Sequence, residues 1–426
     1  MKIKQLLFFF FALYGMGLYA QQSKCATMSH WDRIKAQDSH AETRMQEVER
    51  FTQNWIQENG DLKMTRNIIQ IPVVVHVLYH ADIENISAEQ IYSQINILNE
   101  DFRLLNTDSL QPNHPFWPYT ADVEIEFCMA QKDPDGNPSN GITRTYTDSV
   151  GYAAIGYEKF TEAGGKDNWN PSQYLNIWVC NLDASGGTLG YAAFPSDLEA
   201  SPSLDGVVIR YEAFGNIGTA GMGAFVSNNL GRTATHEVGH WLNLRHIWGD
   251  EECGDDLVTD TEPAVGDNYQ CPTFPHNANN TCGSGEYGEM YMNYMDYVDD
   301  ACMVMFTFGQ KSRMLAALSG PRSGLLSSNG CDAASGLNSQ DFQGSFEVYP
   351  NPSTGVFMVE VNPDKKEDIS ISVSNAIGEV IYQSNHQNIS SSLQLKLNLI
   401  NEAKGIYFVQ IKTDHSSVVK KMLINE

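Results

Sequence analysis

The sequence predicts a mixed α/β (α+β) domain with a mixed sheet, followed by a small all-β sandwich. Three observations carry this. Between residues 64 and 332, apolar runs with strand character alternate with an amphipathic helical pattern. A Ser/Gly-rich stretch breaks that texture and marks a linker over 333–344. Short alternating strands separated by turn residues then fill 345–426. With 42% hydrophobic and 11% aromatic residues, the 426-residue chain can bury cores of this size. Its 27 Lys and Arg against 52 Asp and Glu leave a net charge of −25. Nucleic acid is thereby excluded as a partner, since displacing counterions from phosphates takes clustered cations.

The elements follow in order. Lys2 and Lys4 precede an apolar run from Leu6 to Leu13, and Leu18-Tyr19-Ala20 supplies a small residue at its exit. That order predicts a signal peptide over 1–20, secretion through the periplasm and no transmembrane anchor, because the run is too short to span a bilayer. Cys25 is not placed for lipid attachment, since Gln22-Ser23-Lys24 precede it instead of small residues. Residues 21–63 are polar, with Met45, Val48, Phe51 and Trp55 at helical spacing. From Ile68 onward, Ile69, Ile71, Val73, Val74, Val75 and Val77 read as a buried strand. Ser87 and Gln90 form a capping pair for a helix that places Ile91, Ile95, Leu98 and Phe102 on one face. Further strands are expected at Val123–Met129, Tyr174–Cys180 and Val207–Tyr211, and in the terminal sandwich at Phe357–Val361, Ile369–Val373 and Ile406–Ile411.

Chemistry concentrates in one segment, from Thr235 to His246. On a helix, His236 and His240 stand one turn apart on the same face, a spacing at which two neutral imidazoles grip one zinc ion. Glu237 projects beside them, where an activated water would sit. A catalytic zinc takes three protein ligands and keeps one open position. His246 supplies the third only if the helix stops and the chain turns back, and Asn243, which tolerates a left-handed backbone, stands where it must turn. Three spaced donors and a carboxylate argue against surface histidines at accidental spacing.

These residues resemble the extended zinc signature of the metzincin proteases, whose pattern has Gly where Asn243 stands. Asn293-Tyr294-Met295-Asp296-Tyr297 resembles their Met-turn. Trp248-Gly249, Thr259-Asp260-Thr261, Cys302, Phe306-Thr307 and Gln310 are similar to the pappalysin family in particular, over about Ile71 to Arg313. The resemblance implies a metzincin catalytic domain over 64–332 and a propeptide over 21–63. It implies zinc held by His236, His240 and His246, with Glu237 as general base and Met295 packed below the metal. It implies that Tyr297 donates to the oxyanion, and disulfides Cys253–Cys282 and Cys271–Cys302. Spacings of 17, 10 and 19 residues between those four cysteines lack the close pairs of a structural zinc site. Cys128, Cys180 and Cys331 stay unassigned.

A thiolate is a strong zinc ligand, so Cys25, just beyond the signal, is expected to fill the open position in a latent precursor; a disulfide partner is the alternative. Thirteen of the acids and no Lys or Arg lie between Asp250 and Asp300. Asp255, Asp256, Asp260 and the carbonyls near Val258 are candidate donors to calcium, a hard cation that takes several oxygens. Asp299 or Asp300, beside the pocket wall of metzincins, is expected to favour Arg or Lys next to the scissile bond.

Val348-Tyr349-Pro350-Asn351-Pro352-Ser353-Thr354-Gly355, Gly405-Ile406-Tyr407 and Lys420-Lys421-Met422 resemble the sorting domain of type IX secretion in Bacteroidetes. That resemblance makes the export machinery a partner, against a carbohydrate-binding or adhesive sandwich. The combined expectation is a secreted zinc endopeptidase acting on extracellular proteins or peptides. The alternatives are a non-enzymatic adhesin on a metzincin scaffold, which has no need of Glu237, and a zinc amidase acting on cell-wall material.

Overall fold

The computed structural model describes residues 24–60, 68–153, 156–182, 187–332, 344–375, 380–413 and 417–425. The expected signal peptide and nearly all of the expected linker lie outside the described residues. Two units form, one from the described residues up to Ala130 and from Asn140 to Cys331, the other from Gln131–Ser139 and from Asp332 onward.

The first unit begins with helices α1 (Thr27–Gln37) and α2 (Ala41–Asn59). Its sheet comprises β1 (Ile69–Tyr79), β2 (Ile125–Met129), β3 (Ile142–Tyr146), β4 (Leu175–Cys180), β5 (Gly190–Ala192) and β6 (Val207–Arg210). The strand order is β2-β1-β4-β6-β5, with β3 also on β1. Every pairing is parallel except β5 with β6, so the sheet is mixed and its edge near β5 is antiparallel. A central parallel strand is covered on both faces, which is why β1 reads as a continuous apolar run. Its one buried polar residue, His76, is bonded to Thr143 Oγ1 at 2.8 Å and Asn176 Oδ1 at 3.0 Å.

Helix α3 (Ala88–Phe102) starts where Ser87 Oγ accepts from Gln90 N at 3.2 Å. The reciprocal half of the expected cap does not form. Gln90 is buried, and its side-chain amide donates instead to Phe214 O at 2.8 Å while accepting from Thr219 N at 3.0 Å. Helices α3, α4 (Arg232–Trp241) and α5 (Phe308–Ser319) share one core with the sheet, in which Ile91, Leu98, Val75, Ile177, Val238 and Met314 are buried. Between α4 and α5, residues 242–307 carry neither α-helix nor strand, so irregular chain builds most of one side of the site.

In the second unit, β7 (Gly344–Tyr349), β8 (Val356–Pro363) and β11 (Leu393–Asn398) form one antiparallel sheet. The other consists of β9 (Glu367–Asn375), β10 (Val380–Ile389), β12 (Gly405–Lys412) and β13 (Ser417–Ile424). Alternate residues from both sheets, among them Val359, Val361, Ile371, Val373, Val409 and Ile411, fill a separate core.

Candidate active site

Helix α4 is anchored at its start by Asp300, whose Oδ2 accepts from Leu230 N at 2.8 Å and Arg232 N at 3.3 Å, complementing the partial positive charge of a helix N-terminus. One turn apart on α4, His236 and His240 bring their Nε2 atoms to 3.1 Å. Past Trp241 the chain reverses: Leu244 N bonds to Gly239 O at 2.9 Å and Asn243 takes φ 75°, a left-handed conformation that Asn tolerates. The reversal brings His246 Nε2 to 3.1 Å from His240 Nε2. Each ring is held through its other nitrogen, His236 Nδ1 by Tyr294 O at 2.7 Å, His240 Nδ1 by Leu244 O at 2.8 Å and His246 Nδ1 by Asp250 Oδ1 at 2.5 Å. With the Nδ1 protons so engaged, the three Nε2 lone pairs converge.

Cys25 Sγ joins them, and the four buried donor atoms lie within 4.8 Å of one another. Three imidazoles and a sulfur are a donor set that suits zinc. Burial, reinforced by the neighbouring imidazoles, lowers the pKa of His236 to about 3 and pushes His240 down as well. These two rings are therefore neutral, as ligation requires.

Glu237 turns to the same cavity. Its Oε2 accepts from Thr27 Oγ1 at 2.9 Å and Cys25 Sγ at 3.4 Å, and burial raises its pKa to about 8. Burial, and then the Glu237 charge, push the Cys25 thiol up; a coordinated cation acts the opposite way, since a ligating thiol loses its proton. Residues 24–26 lie along β5, with Leu189 N donating to Lys24 O at 2.7 Å and Ala26 N to Gly190 O at 2.9 Å. The approach is tight: a Cβ at Gly190 would lie 2.9 Å from Glu237 Cγ. Tyr297 OH donates to Cys25 O at 3.5 Å, and its ring centroid is 4.9 Å from that of His246. Met295 is fully buried under α4, where a Cβ at Gly239 would meet its Sδ at 2.5 Å.

The acidic segment is organised by internal hydrogen bonds. Asp256 takes Thr261 Oγ1 and Val258 N, both at 3.0 Å, while Asp255 takes Leu257 N at 2.7 Å. Asp260 takes Thr307 Oγ1 at 2.6 Å and Gly309 N at 2.9 Å, joining this segment to the start of α5. Among the described residues, these three carboxylates do not gather into a cation cluster; the zinc-type group is the one that forms. Buried Glu289 is met by Asn268, Asn277 and Asn280 side chains at 3.1, 3.0 and 2.9 Å and by Val265 N at 3.0 Å. Disulfides Cys253–Cys282 and Cys271–Cys302 staple the same segment, and Cys128–Cys331 ties β2 to the end of the unit. Cys180 is a buried thiol outside these bridges.

A narrow pocket runs from Cys25, His236 and Glu237 to Asp296, Asp300 and Met303. Asp300 is spent on capping α4, and Asp296 accepts from Asn268 N at 2.8 Å and Tyr297 N at 2.7 Å. Asp299 instead meets a cation, Lys24 Nζ at 3.3 Å. Lys24, Thr27 and Asp250 are site residues that the sequence reading passed over, and Trp248 entered it only as part of a family motif. Asp250 had a signal, four residues after His246; Lys24 and Thr27 had only their closeness to Cys25. Nor was the link from α2 foreseen, where Glu49 pairs with buried Arg313 at 2.7 Å and Thr52 Oγ1 accepts from Asn243 Nδ2 at 3.2 Å.

Known proteins share both parts of this chain. The profile of the family described as pregnancy-associated plasma protein-A matches residues 159–319, and that of the secretion system C-terminal sorting domain matches 347–425. An extracellular metalloprotease of Arthroderma otae is 32% identical over 266 residues, covering 60% of this chain and 80% of the relative. The chain belongs to the pregnancy-associated plasma protein-A (pappalysin) family. Mature mirolysin of Tannerella forsythia, solved in complex with a cleaved peptide, is 46% identical, with a TM-score of 0.57 over 62% of this chain and 97% of its own. A promirolysin mutant from the same organism is 40% identical, with a TM-score of 0.64 over 71% and 97%. The protein is therefore a zinc-dependent metalloprotease, secreted or at the cell surface, with a tail that implies type IX export. The non-enzymatic adhesin is set aside. No helix among the described residues is long and apolar enough to cross a membrane.

Proposed function

We propose that the protein is a secreted endopeptidase made as a latent precursor, with His236, His240 and His246 holding zinc and Glu237 acting as general base. The convergence of three Nε2 atoms beside a buried carboxylate supports this most strongly. Bound among those imidazoles, zinc supplies a Lewis acid that makes water nucleophilic near neutral pH and stabilises charge on the scissile carbonyl. Glu237 takes the proton of the attacking water and returns it to the leaving amine, as amide hydrolysis requires. Tyr297 donates to the substrate carbonyl oxygen; in the precursor its hydroxyl already meets a backbone carbonyl, that of Cys25.

Residues 21–63 act as the prosegment. Promirolysin covers more of this chain than the mature form does, 71% against 62%, which supports the assignment. Cys25 closes the open metal position while Thr27 occupies Glu237, so one short segment blocks both the electrophile and the base. Asp299 selects substrates with Arg or Lys beside the scissile bond, and Lys24 stands in for that side chain in the precursor. Digestion of a peptide library by the activated enzyme tests the activity. Cleavage lost with a zinc chelator and restored by zinc is expected; cleavage that survives chelation overturns the reading.

A further inference from the structure

Imidazoles that ligate a metal donate their second N–H to a fixed acceptor, which sets ring orientation and ligand strength. The three candidate ligands do not share one kind of acceptor. His236 and His240 use neutral backbone carbonyls, of Tyr294 and Leu244. His246 uses a carboxylate, with Asp250 Oδ1 2.5 Å from its Nδ1.

The scaffold differs in the same way. His236 and His240 stand on α4, whose hydrogen-bonded backbone fixes both. His246 comes from irregular chain beyond the left-handed turn at Asn243, and no helix carries it. The ligand with the weakest backbone support is the one gripped by a charged acceptor. We propose that Asp250 is a positioning residue for zinc, orienting His246 and strengthening it as a ligand. This rests on the zinc reading above.

The chain around Asp250 is built to hold it there. Gly249 N closes a turn onto His246 O at 2.9 Å, and Gly249 and Asp250 both take φ 64°. A Cβ at Gly249 would lie 2.3 Å from Asp255 N, so only glycine lets the following loop fold back so closely. Cys253, three residues on, is tied to Cys282. Trp248 stacks on the His246 ring at 4.4 Å and 7°, so His246 is held on its face by an indole and at its edge by a carboxylate. Asp250 brings a negative charge one hydrogen bond beyond the ligand, toward the charge of a bound dication.

The test compares full-length wild type with Asp250→Asn, which keeps side-chain size and tolerates a positive φ while losing the charge. After chelator dialysis, zinc affinity is measured by competition with a chromogenic chelator, and melting is followed with and without zinc. Asp250→Asn is expected to bind zinc about 10- to 100-fold more weakly and to melt like wild type when zinc-free. Asp255→Asn, which removes another carboxylate of the same loop, is expected to leave zinc affinity unchanged. Equal zinc affinity in wild type and Asp250→Asn overturns the inference, as does an equal loss in Asp255→Asn. A wild-type protein that binds no zinc at all defeats the underlying zinc reading instead.

Discussion

Replacing His30 by Phe removes a titrating ring from the face that α1 presents to the rest of its unit. His30 is 3% exposed, its ring is 4.9 Å from Tyr191, and its buried Nε2 has no hydrogen-bond partner. Arg33 faces it from α1, and Glu158 and Lys159 lie in the buried cluster around Tyr191, whose hydroxyl donates to Glu158. Burial first, then the charges of Lys159 and Arg33, lower its pKa from 6.5 to about 3. The unfolded ring gains a proton as pH falls through 6.5, whereas the buried ring does not until about 3. Stabilisation from the neutral buried form is thus complete above 6.5 and is lost as pH falls from there toward 3. Between about pH 7.5 and about pH 5 the loss is about 2 kcal/mol, or about 30-fold in the opening equilibrium of α1. Hydrogen exchange across Thr27–Gln37 reads this opening locally, in a Glu237→Ala background that prevents self-digestion. Acidification should speed exchange there by about that factor more in the His30 protein than in His30→Phe. Equal pH dependence in the two proteins would refute the argument that His30 stays neutral by burial.

Other consequences follow from the same contacts. Cys25→Ala in the secreted precursor should raise basal proteolysis of a peptide substrate, and latency unchanged by that substitution would remove the thiol from the mechanism. Asp299→Asn should lower kcat/KM for substrates with Arg or Lys beside the scissile bond by about tenfold, the size of one lost charge-assisted contact, and leave neutral substrates alone. A uniform fall would count against Asp299 as the selector. Glu49→Gln removes the charged partner of the buried Arg313 guanidinium, which keeps Leu257 O and Asn243 O as acceptors, so the precursor should lose about 1 kcal/mol in denaturant titrations. Wild-type stability in the Glu49→Gln precursor would contradict the link from α2.

Much of the architecture is written in periodicities. The mostly apolar run of β1, interrupted in its buried stretch only by His76, shows a strand covered on both faces, and the four-residue step from His236 to His240 fixes their common face on any helix. The alternation in β9 and β12 likewise separates a sandwich from the mixed sheet before it. Contacts made across long sequence separations were not legible. Thr27 meets Glu237 across 210 residues and Glu49 meets Arg313 across 264, with no pattern near either partner to announce it. The acids between Asp250 and Asp300 were visible as a count, and the count suggested calcium. It could not show that Asn268, Asn277 and Asn280 turn their amides onto Glu289, or that Asp260 is taken up at the start of α5. Composition records charge, while the donors that meet each carboxylate are decided by the fold. Gln90 carries the same lesson, since a residue suited to capping its own helix was drawn to Phe214 and Thr219 by burial.

The most direct test of the central claim is to measure bound zinc and kcat together in the activated Glu237→Gln enzyme. The account predicts zinc bound as in wild type and a kcat lower by about 10²- to 10⁴-fold, because the metal keeps its three imidazoles while proton transfer loses its base. Zinc retained with wild-type kcat would contradict it.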